Sequence, residues 1–210
     1  METVVVTGVR ESGGSAPYVT LVRRADHLIT DVIVRDDTRD GPTRLKEMRD
    51  TLRALLRQAA ADKTISLSVN KGNVLRDFTE ALIDEVIYPD NRPDTSKAEI
   101  IAKTVIRADD TYDSATGRIA AFVKRAAKFG RSEVTHSENW ELTIVGPQQY
   151  HSAVVAKIAQ DTKDTLALFG PDYGVQLEGL YRPVEWYRAG QLDLALYIPY
   201  TYSIAPRRAN

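Results

Sequence analysis

The spacing of apolar residues along the chain predicts a succession of strands and amphipathic helices. Apolar and polar residues alternate over residues 64–69 and 98–109, which is the two-residue period of a half-buried strand. Over residues 45–59 and 119–129, apolar residues recur every three or four positions, as on one face of a helix. The same criteria predict further strands over residues 4–9, 18–35, 134–145, 175–180 and 192–204, and further helices over residues 74–87 and 147–169.

Two segments of the chain follow one pattern. Residues 34–40 end a strand in an acidic turn, residues 106–113 do the same, and each turn leads into an amphipathic helix and another strand. We therefore predict an α+β fold in which two repeated β-α-β units share a mixed or antiparallel sheet. The helices are expected on one face, and a long C-terminal helix and an edge strand complete a single domain over residues 1–210, with halves near residues 1–88 and 97–204.

The acidic turns have a structural interpretation. A carboxylate or hydroxyl that precedes a helix can accept hydrogen bonds from its unpaired N–H groups, and a negative charge there is favoured by the helix dipole. The acids of both turns are therefore predicted to cap helices, with Asp113 or Ser114 as the cap of the second one.

Charge and cysteine content narrow the classes of function. The chain carries 28 Lys and Arg against 29 Asp and Glu, so it lacks the basic surplus typical of nucleic-acid binding, and no nucleic-acid partner is predicted. It has no cysteine, which excludes thiol catalysis, thiolate metal sites and disulfides. No stretch approaches the roughly 20 apolar residues of a transmembrane segment. The expected location is cytoplasmic if Met1 is native, and periplasmic if a leader has been removed.

One motif resembles a calcium-binding loop. Asp36, Thr38, Asp40 and Glu47 occupy the first, third, fifth and twelfth positions of such a loop, and Gly41 occupies the sixth. The entering segment is a predicted strand where a calcium loop has a helix, and Pro42 follows the glycine. Calcium binding at this loop is an alternative to the capping role of the acids.

A second alternative is an enzyme or a small-ligand domain. His136 and Glu138 lie two residues apart on a predicted strand, so both side chains can face one pocket between sheet and helices. The sequence contains no nucleophile elbow, dinucleotide fingerprint or phosphate-binding loop, and we predict no catalytic residue, cofactor or metal ion. Arg49, Arg53 and Arg57 form a ladder on the first long helix, which is typical of a solvated helix face.

Aromatic residues crowd the last fifth of the chain. Tyrosine and tryptophan combine a large apolar surface with a polar tip and are enriched in protein interfaces. Pro199 cannot donate to a strand ladder, so the strand over residues 192–204 is predicted to lie at a sheet edge or to bulge. Such a strand can form a subunit interface by strand addition. The predicted interface residues are Trp186, Tyr187, Leu192, Leu194, Tyr197, Tyr200 and Tyr202.

The order of elements resembles the SIMPL-domain family over most of the chain. The resemblance is carried by the opening Val4-Val5-Val6-Thr7-Gly8 strand, by the strand–helix pairs that begin at Ile29 and Ile100, and by the alanine-rich helix from His151 to Phe169. Ala16-Pro17-Tyr18 stands where family members usually carry a Pro-Asp pair. The resemblance implies a protein without established catalytic residues, associated with the envelope or with stress, that acts as a homo-oligomer or with a protein partner.

Overall fold

The computed structural model describes residues 4–5, 19–71 and 74–207. The protein is a mixed α+β structure of helices and antiparallel sheets. It divides into two compact units: unit 1 contains residues 4–5 and 25–145, and unit 2 contains residues 19–24 and 146–207. Both acidic turns lie in unit 1.

The elements follow one another as strands, helices and two short 3-10 turns at Glu80–Leu82 and Pro147–Tyr150. They are, in chain order, β1 (Val4–Val5), β2 (Leu21–Arg24), β3 (His27–Asp36), α1 (Gly41–Ala61), β4 (Ile65–Lys71), β5 (Val74–Asp77), α2 (Ile83–Val86), β6 (Ile87–Pro89), β7 (Ser96–Val105), α3 (Tyr112–Lys124), β8 (Glu133–His136), β9 (Glu141–Thr143), α4 (His151–Ala167), β10 (Tyr173–Glu178), β11 (Glu185–Arg188), β12 (Asp193–Tyr197) and β13 (Thr201–Pro206).

Unit 1 is built on one antiparallel sheet with the order β1-β5-β4-β7-β3-β8, to which β6 and β9 add at β7 and β3. The long central strands β3 and β7 pair over ten residues, from His27 opposite Val105 to Asp36 opposite Ser96. Helix α1 connects β3 to β4, which both pair with β7 and therefore run parallel to each other. Helix α3 connects β7 to β8, which are parallel for the same reason, with β3 between them.

The core of unit 1 lies between α1, α3 and one face of this sheet. Leu52 and Leu55 of α1 and Ile119 and Phe122 of α3 are fully buried. They belong to one apolar cluster with alternate residues of four strands, namely Val32, Val34, Leu67, Val69, Ala98, Ile100, Ala102 and Val134. Both helices therefore cover the same face of the sheet, as expected from the alternation of apolar residues.

The helix starts show how the acidic turns act. Asp40 is the N-cap of α1 and accepts a hydrogen bond from the Thr43 amide at 2.9 Å, which confirms a capping role for this acid. The prediction that Asp113 or Ser114 caps α3 was wrong. Thr111 is the cap, and Ser114, three residues later, completes a reciprocal capping box with it.

Three predicted elements are divided in the structure. The helix predicted over residues 74–87 is confined to residues 83–86, because residues 74–77 pair with β4 as β5. The strand predicted over residues 18–35 is two strands in different sheets, and Asp26 between them accepts from the Val145 amide through its side chain at 2.7 Å. The strand predicted over residues 134–145 is interrupted between β8 and β9. Residues 6–18, which include part of the predicted first strand, lie outside the described residues.

Unit 2 contains α4, a three-stranded sheet in the order β11-β12-β2, and the antiparallel pair β10 and β13. The prediction of one edge strand over residues 192–204 was wrong. The segment forms two strands separated by residues 198–200, where Pro199 interrupts the ladder, and β12 is the central strand of its sheet. Within the described ranges, no helix is both long and apolar enough to cross a bilayer.

Candidate functional site

The predicted interface residues fall into two groups that the structure separates. Trp186, Leu192 and Leu194 are buried, with 6%, 4% and 1% of their surface exposed, so they belong to the core of unit 2. Their burial follows from the position of β12, which has a paired strand on each side and carries three consecutive buried residues. These three side chains are therefore not available to a partner in this structure.

Tyr187 and Tyr197 form a pair on neighbouring strands. Their ring centroids are 6.0 Å apart, and the Tyr197 hydroxyl donates a hydrogen bond to a carboxylate oxygen of Glu185 at 2.7 Å. Burial raises the pKa of Tyr197 to about 12, and the hydrogen bond to Glu185 acts in the same direction. Both rings are half-buried, so they offer a partner only part of their surface.

The remaining two predicted interface residues are Tyr200 and Tyr202. Tyr200 directly precedes β13 and Tyr202 lies in it, and nearly every residue of this strand is exposed. We call the pair β10 and β13 the ribbon; its six residue pairs run from Tyr173 opposite Pro206 to Glu178 opposite Thr201. In the described part of the chain, no other strand pairs with either member. Each strand of the ribbon therefore presents one edge of backbone N–H and C=O groups outside the ladder.

The ribbon has one apolar face and one polar face. Directly opposed residues of an antiparallel pair point to the same side, so the register assigns every side chain to a face. The apolar face contains Tyr173, Val175, Leu177, Tyr202, Ile204 and Pro206. The other face contains Gly174, Gln176, Glu178, Thr201, Ser203 and Ala205.

Aromatic rings continue this apolar face at both ends. Tyr202 is 54% exposed, and its ring stacks on that of Tyr200 with 6.4 Å between centroids. Burial raises the pKa of Tyr200, and the negative charge of Asp161 adds to this shift. At the other end, Phe169 contacts Tyr173 at 5.8 Å between ring centroids.

Sequence reasoning missed two exposed apolar residues, of which Phe169 contacts Tyr173 of the ribbon. Leu168 and Phe169, directly after α4, are 86% and 50% exposed. The sequence pattern predicts both at the end of an amphipathic helix, whose apolar residues are normally buried. The available signal was their position: two large apolar residues immediately before Gly170-Pro171, where the helix pattern stops.

The side chains of the calcium-like motif are used within unit 1. Asp36 is 1% exposed and accepts hydrogen bonds from the Ser132 hydroxyl at 2.7 Å and from the Thr38 amide at 2.9 Å. Thr38 in turn donates its hydroxyl to Glu47 at 2.7 Å. Asp40 caps α1. No group of three or more His, Asp or Glu residues among the described residues is placed to hold a metal ion.

A cleft of about 380 Å³ lies beside this turn. Two of its arginines are paired with acids. Arg131 donates to Asp37 at 2.5 and 3.0 Å, and Arg35 donates to Asp90 at 3.2 Å, so positive and negative charges compensate each other. The hydrogen bonds from Arg131 hold the pKa of Asp37 below its usual range. The cleft is lined by three arginines, three acids and a threonine: Arg35, Arg92, Arg131, Asp36, Asp37, Glu133 and Thr95. This balance favours neither an anion nor a cation.

His136 and Glu138 are not arranged as the enzyme alternative requires. Strand β8 ends at His136, so Glu138 lies in the interruption between β8 and β9. The His136 ring packs against Trp140 with 5.3 Å between centroids, and its Nδ1 atom lies 3.0 Å from the Ser137 carbonyl oxygen. His136 therefore faces a packed aromatic side chain.

Two of the three arginines in the ladder on α1, Arg49 and Arg53, are paired with acids of unit 1. Arg49 lies 2.6 Å from Asp84, and Arg53 lies 2.8 Å from Glu80 and 3.3 Å from Asp50. These arginines join α1 to the segment that contains α2, which is a structural role.

Comparisons with protein-family models, with curated proteins and with solved structures find nothing that matches this chain.

Proposed function

We propose that this chain is a non-enzymatic protein-interaction domain of the SIMPL-like type that works as a homo-oligomer and makes its contacts through the ribbon. The observation that carries the proposal is the combination of free strand edges with an apolar face on which Tyr202 is exposed. Strand addition to such an edge supplies main-chain hydrogen bonds, and side chains on the face supply the apolar contact.

The proposed kinship includes a duplicated β-α-β architecture for unit 1. It is supported by two equivalent connections, β3-α1-β4 and β7-α3-β8, each of which joins two parallel strands. In the sheet, β3 and β4 lie on either side of β7, and β7 and β8 lie on either side of β3. Both connections also begin with an acidic turn and place their helix on the same face of the sheet. The envelope or stress association is proposed from the family resemblance alone.

The stability of the ribbon gives a physical reason for association. A two-stranded antiparallel pair is marginally stable in water by itself and is stabilised by a helix packed against it or by further strands. Helix α4 contacts β10, and a further strand on β13 would add to this stabilisation. Nearly every residue of β13 is exposed, including Tyr202 on the apolar face. Pairing with another strand would satisfy the free edge and reduce the water-exposed area of that face.

The proposal is tested by sedimentation equilibrium over a wide range of protein concentration. We expect the average mass to exceed that of one chain and to fall towards it on dilution. In the variant Tyr202→Lys, the charge on the apolar face should shift this equilibrium to single chains.

Val105→Lys is the matched control, because Val105 is also an apolar strand residue, is 55% exposed, and lies in unit 1. The control should associate like the unaltered protein. A single chain at every concentration, or equal effects of the two substitutions, would refute the proposal.

A further inference from the structure

We infer that the partner of the ribbon is the ribbon of a second copy, joined edge to edge through β13 around a two-fold axis at Ser203. This inference rests on the proposed function and adds the strand, the register and the symmetry. The product is a continuous four-stranded sheet in the order β10-β13-β13-β10, with two strands from each copy.

The charge of β13 favours pairing with itself. Thr201–Pro206 contains no charged residue, whereas β10 ends in Glu178. In a two-fold dimer, β13 of one copy lies beside β13 of the other copy. A charged residue near the axis would therefore lie close to the same residue of the partner, and the two like charges would repel each other. Strand β13 avoids this repulsion and also lacks the charged side chains that commonly protect exposed strand edges from pairing.

The two faces of the ribbon limit the register. Opposed residues point to the same face, so an antiparallel pairing joins the two apolar faces only if each residue meets one of equal parity. A slip of one residue would place Ser203 opposite Ile204 and join an apolar face to a polar one. The allowed two-fold axes therefore pass through a residue of β13.

Among these axes, the one at Ser203 pairs most of the strand without using proline. It places Ser203 opposite itself, Tyr202 opposite Ile204, and Thr201 opposite Ala205. An axis at Ile204 would put Pro206, which has no N–H group, opposite Tyr202, and an axis at Tyr202 would leave only three residues of β13 paired within the strand. Pairs of an aromatic and a β-branched residue, such as Tyr202 with Ile204, are favourable across strands.

The register also extends the apolar face without a break. Within one copy, Leu177 lies opposite Tyr202 and Val175 lies opposite Ile204. Across the axis, Tyr202 of one copy meets Ile204 of the other, so a row of four apolar side chains crosses the sheet in the order Leu177, Tyr202, Ile204 and Val175. A second, symmetric row runs in the opposite direction.

Because the chain contains no cysteine, introduced cysteines test this register without background. Opposed residues of antiparallel strands have Cα atoms about 4.5–5.5 Å apart, within the range of a disulfide. Ser203→Cys should therefore form a disulfide-linked dimer on mild oxidation with diamide, detected by non-reducing electrophoresis. Gln176→Cys is the matched control, because Gln176 is exposed on the same face and lies opposite Ser203 on the other strand.

A mixed experiment tests the neighbouring pair. Thr201→Cys and Ala205→Cys chains should cross-link when mixed, whereas Thr201→Cys alone should not, since its two copies would be about 13 Å apart along the strands.

Light scattering on the reduced proteins separates the two proposals. If the Ser203→Cys variant forms oligomers but stays unlinked on oxidation, or if the Gln176→Cys variant links instead, the register is overturned and the proposed function still stands. Single chains at every concentration overturn both.

Discussion

The two units differ in the way their sheets end. In unit 1, the strands beside β3 on its outer side are short: β8 has four residues, β9 has three, and residues 137–140 separate them. Both carry an exposed glutamate, Glu133 or Glu141. In unit 2, β13 runs for six uninterrupted residues without a charge. Short, interrupted and charged edges resist pairing with another chain, and long neutral ones permit it.

The units also differ in how their polar groups are used. In unit 1, Arg118 donates to Asp110 and to the Val105 carbonyl oxygen at 2.7 Å, and Asp36 is buried against Ser132. These contacts fix the turns of unit 1 internally. The ribbon presents backbone groups and tyrosines outwards. In the proposed dimer, unit 1 is therefore the scaffold and unit 2 makes the contacts between the copies.

The largest effect is expected for a buried member of the predicted interface set. Leu194→Ala should reduce the free energy of unfolding by about 2–5 kcal/mol, because it opens a cavity in the core of unit 2. Chemical denaturation measures this change, and Tyr202→Ala is the control. If the free energy of unfolding falls as much for Tyr202→Ala as for Leu194→Ala, the division of the set into buried and exposed members is wrong.

The next largest effect on stability is expected for Asp110, which lies in the turn before α3 of unit 1. Hydrogen bonds from Arg118, with help from the Arg107 amide and Ser114, hold the pKa of Asp110 well below its usual range. Asp110→Asn should lower the free energy of unfolding by about 1.5–3 kcal/mol at neutral pH, because a charged hydrogen-bond acceptor is lost.

This loss should depend on pH with a defined sign. A carboxylate whose pKa is depressed in the folded state stabilises it fully above the unfolded pKa of about 3.9, and that contribution disappears as the pH falls through the folded value. The difference between Asp110→Asn and the unaltered protein should therefore be constant near neutrality and shrink in acid. A difference that grows as the pH falls would contradict the charged pairing of Asp110 with Arg118.

A smaller effect is expected for a charge at the proposed axis. Ser203→Lys places two ammonium groups opposite each other and should weaken association roughly tenfold, about 1.4 kcal/mol, with partial recovery in salt. Mixing with Ser203→Glu chains should restore association, since the opposed charges then attract. Equal mass distributions for the mixed sample and the lysine variant alone would count against the axis.

The smallest effect is expected at a helix start of unit 1. Thr111→Ala removes the cap of α3 and should cost about 1 kcal/mol of unfolding free energy. Association should not change, because the cap lies in unit 1. Thermal or chemical denaturation and light scattering check the two parts. A loss of association in Thr111→Ala would contradict the assignment of contacts to unit 2.

Hydrophobic periodicity was sufficient to predict that α1, α3, α4 and β7 exist, since each element presents one regular apolar face. The predicted end of α3 at Phe129 was wrong, because the helix ends at Lys124. It could not predict which strands pair. The alternation through residues 192–204 continues across the break at residues 198–200, so it concealed the fact that β12 and β13 belong to different sheets. Pairing of β13 with β10 joins residues about thirty positions apart, and no local pattern specifies such a contact.

The candidate site was predicted in part for the same reason. The aromatic concentration correctly directed attention to unit 2 but could not separate Trp186, which is buried, from Tyr202, which is exposed. In the calcium-like motif, Asp40 caps α1 and Asp36 accepts a buried hydrogen bond. Acids near a helix start give the same sequence pattern whether they have these structural roles or bind a metal ion.

Backbone hydrogen exchange in β13, followed at several protein concentrations, tests the central claim most directly. Amides of β13 that point away from β10 should exchange quickly in dilute protein and become protected as concentration rises, because they then donate to the second copy. Amides that point towards β10 should change much less. If the outward amides exchange at the same fast rate in dilute and concentrated protein, the edge of β13 does not pair with another chain.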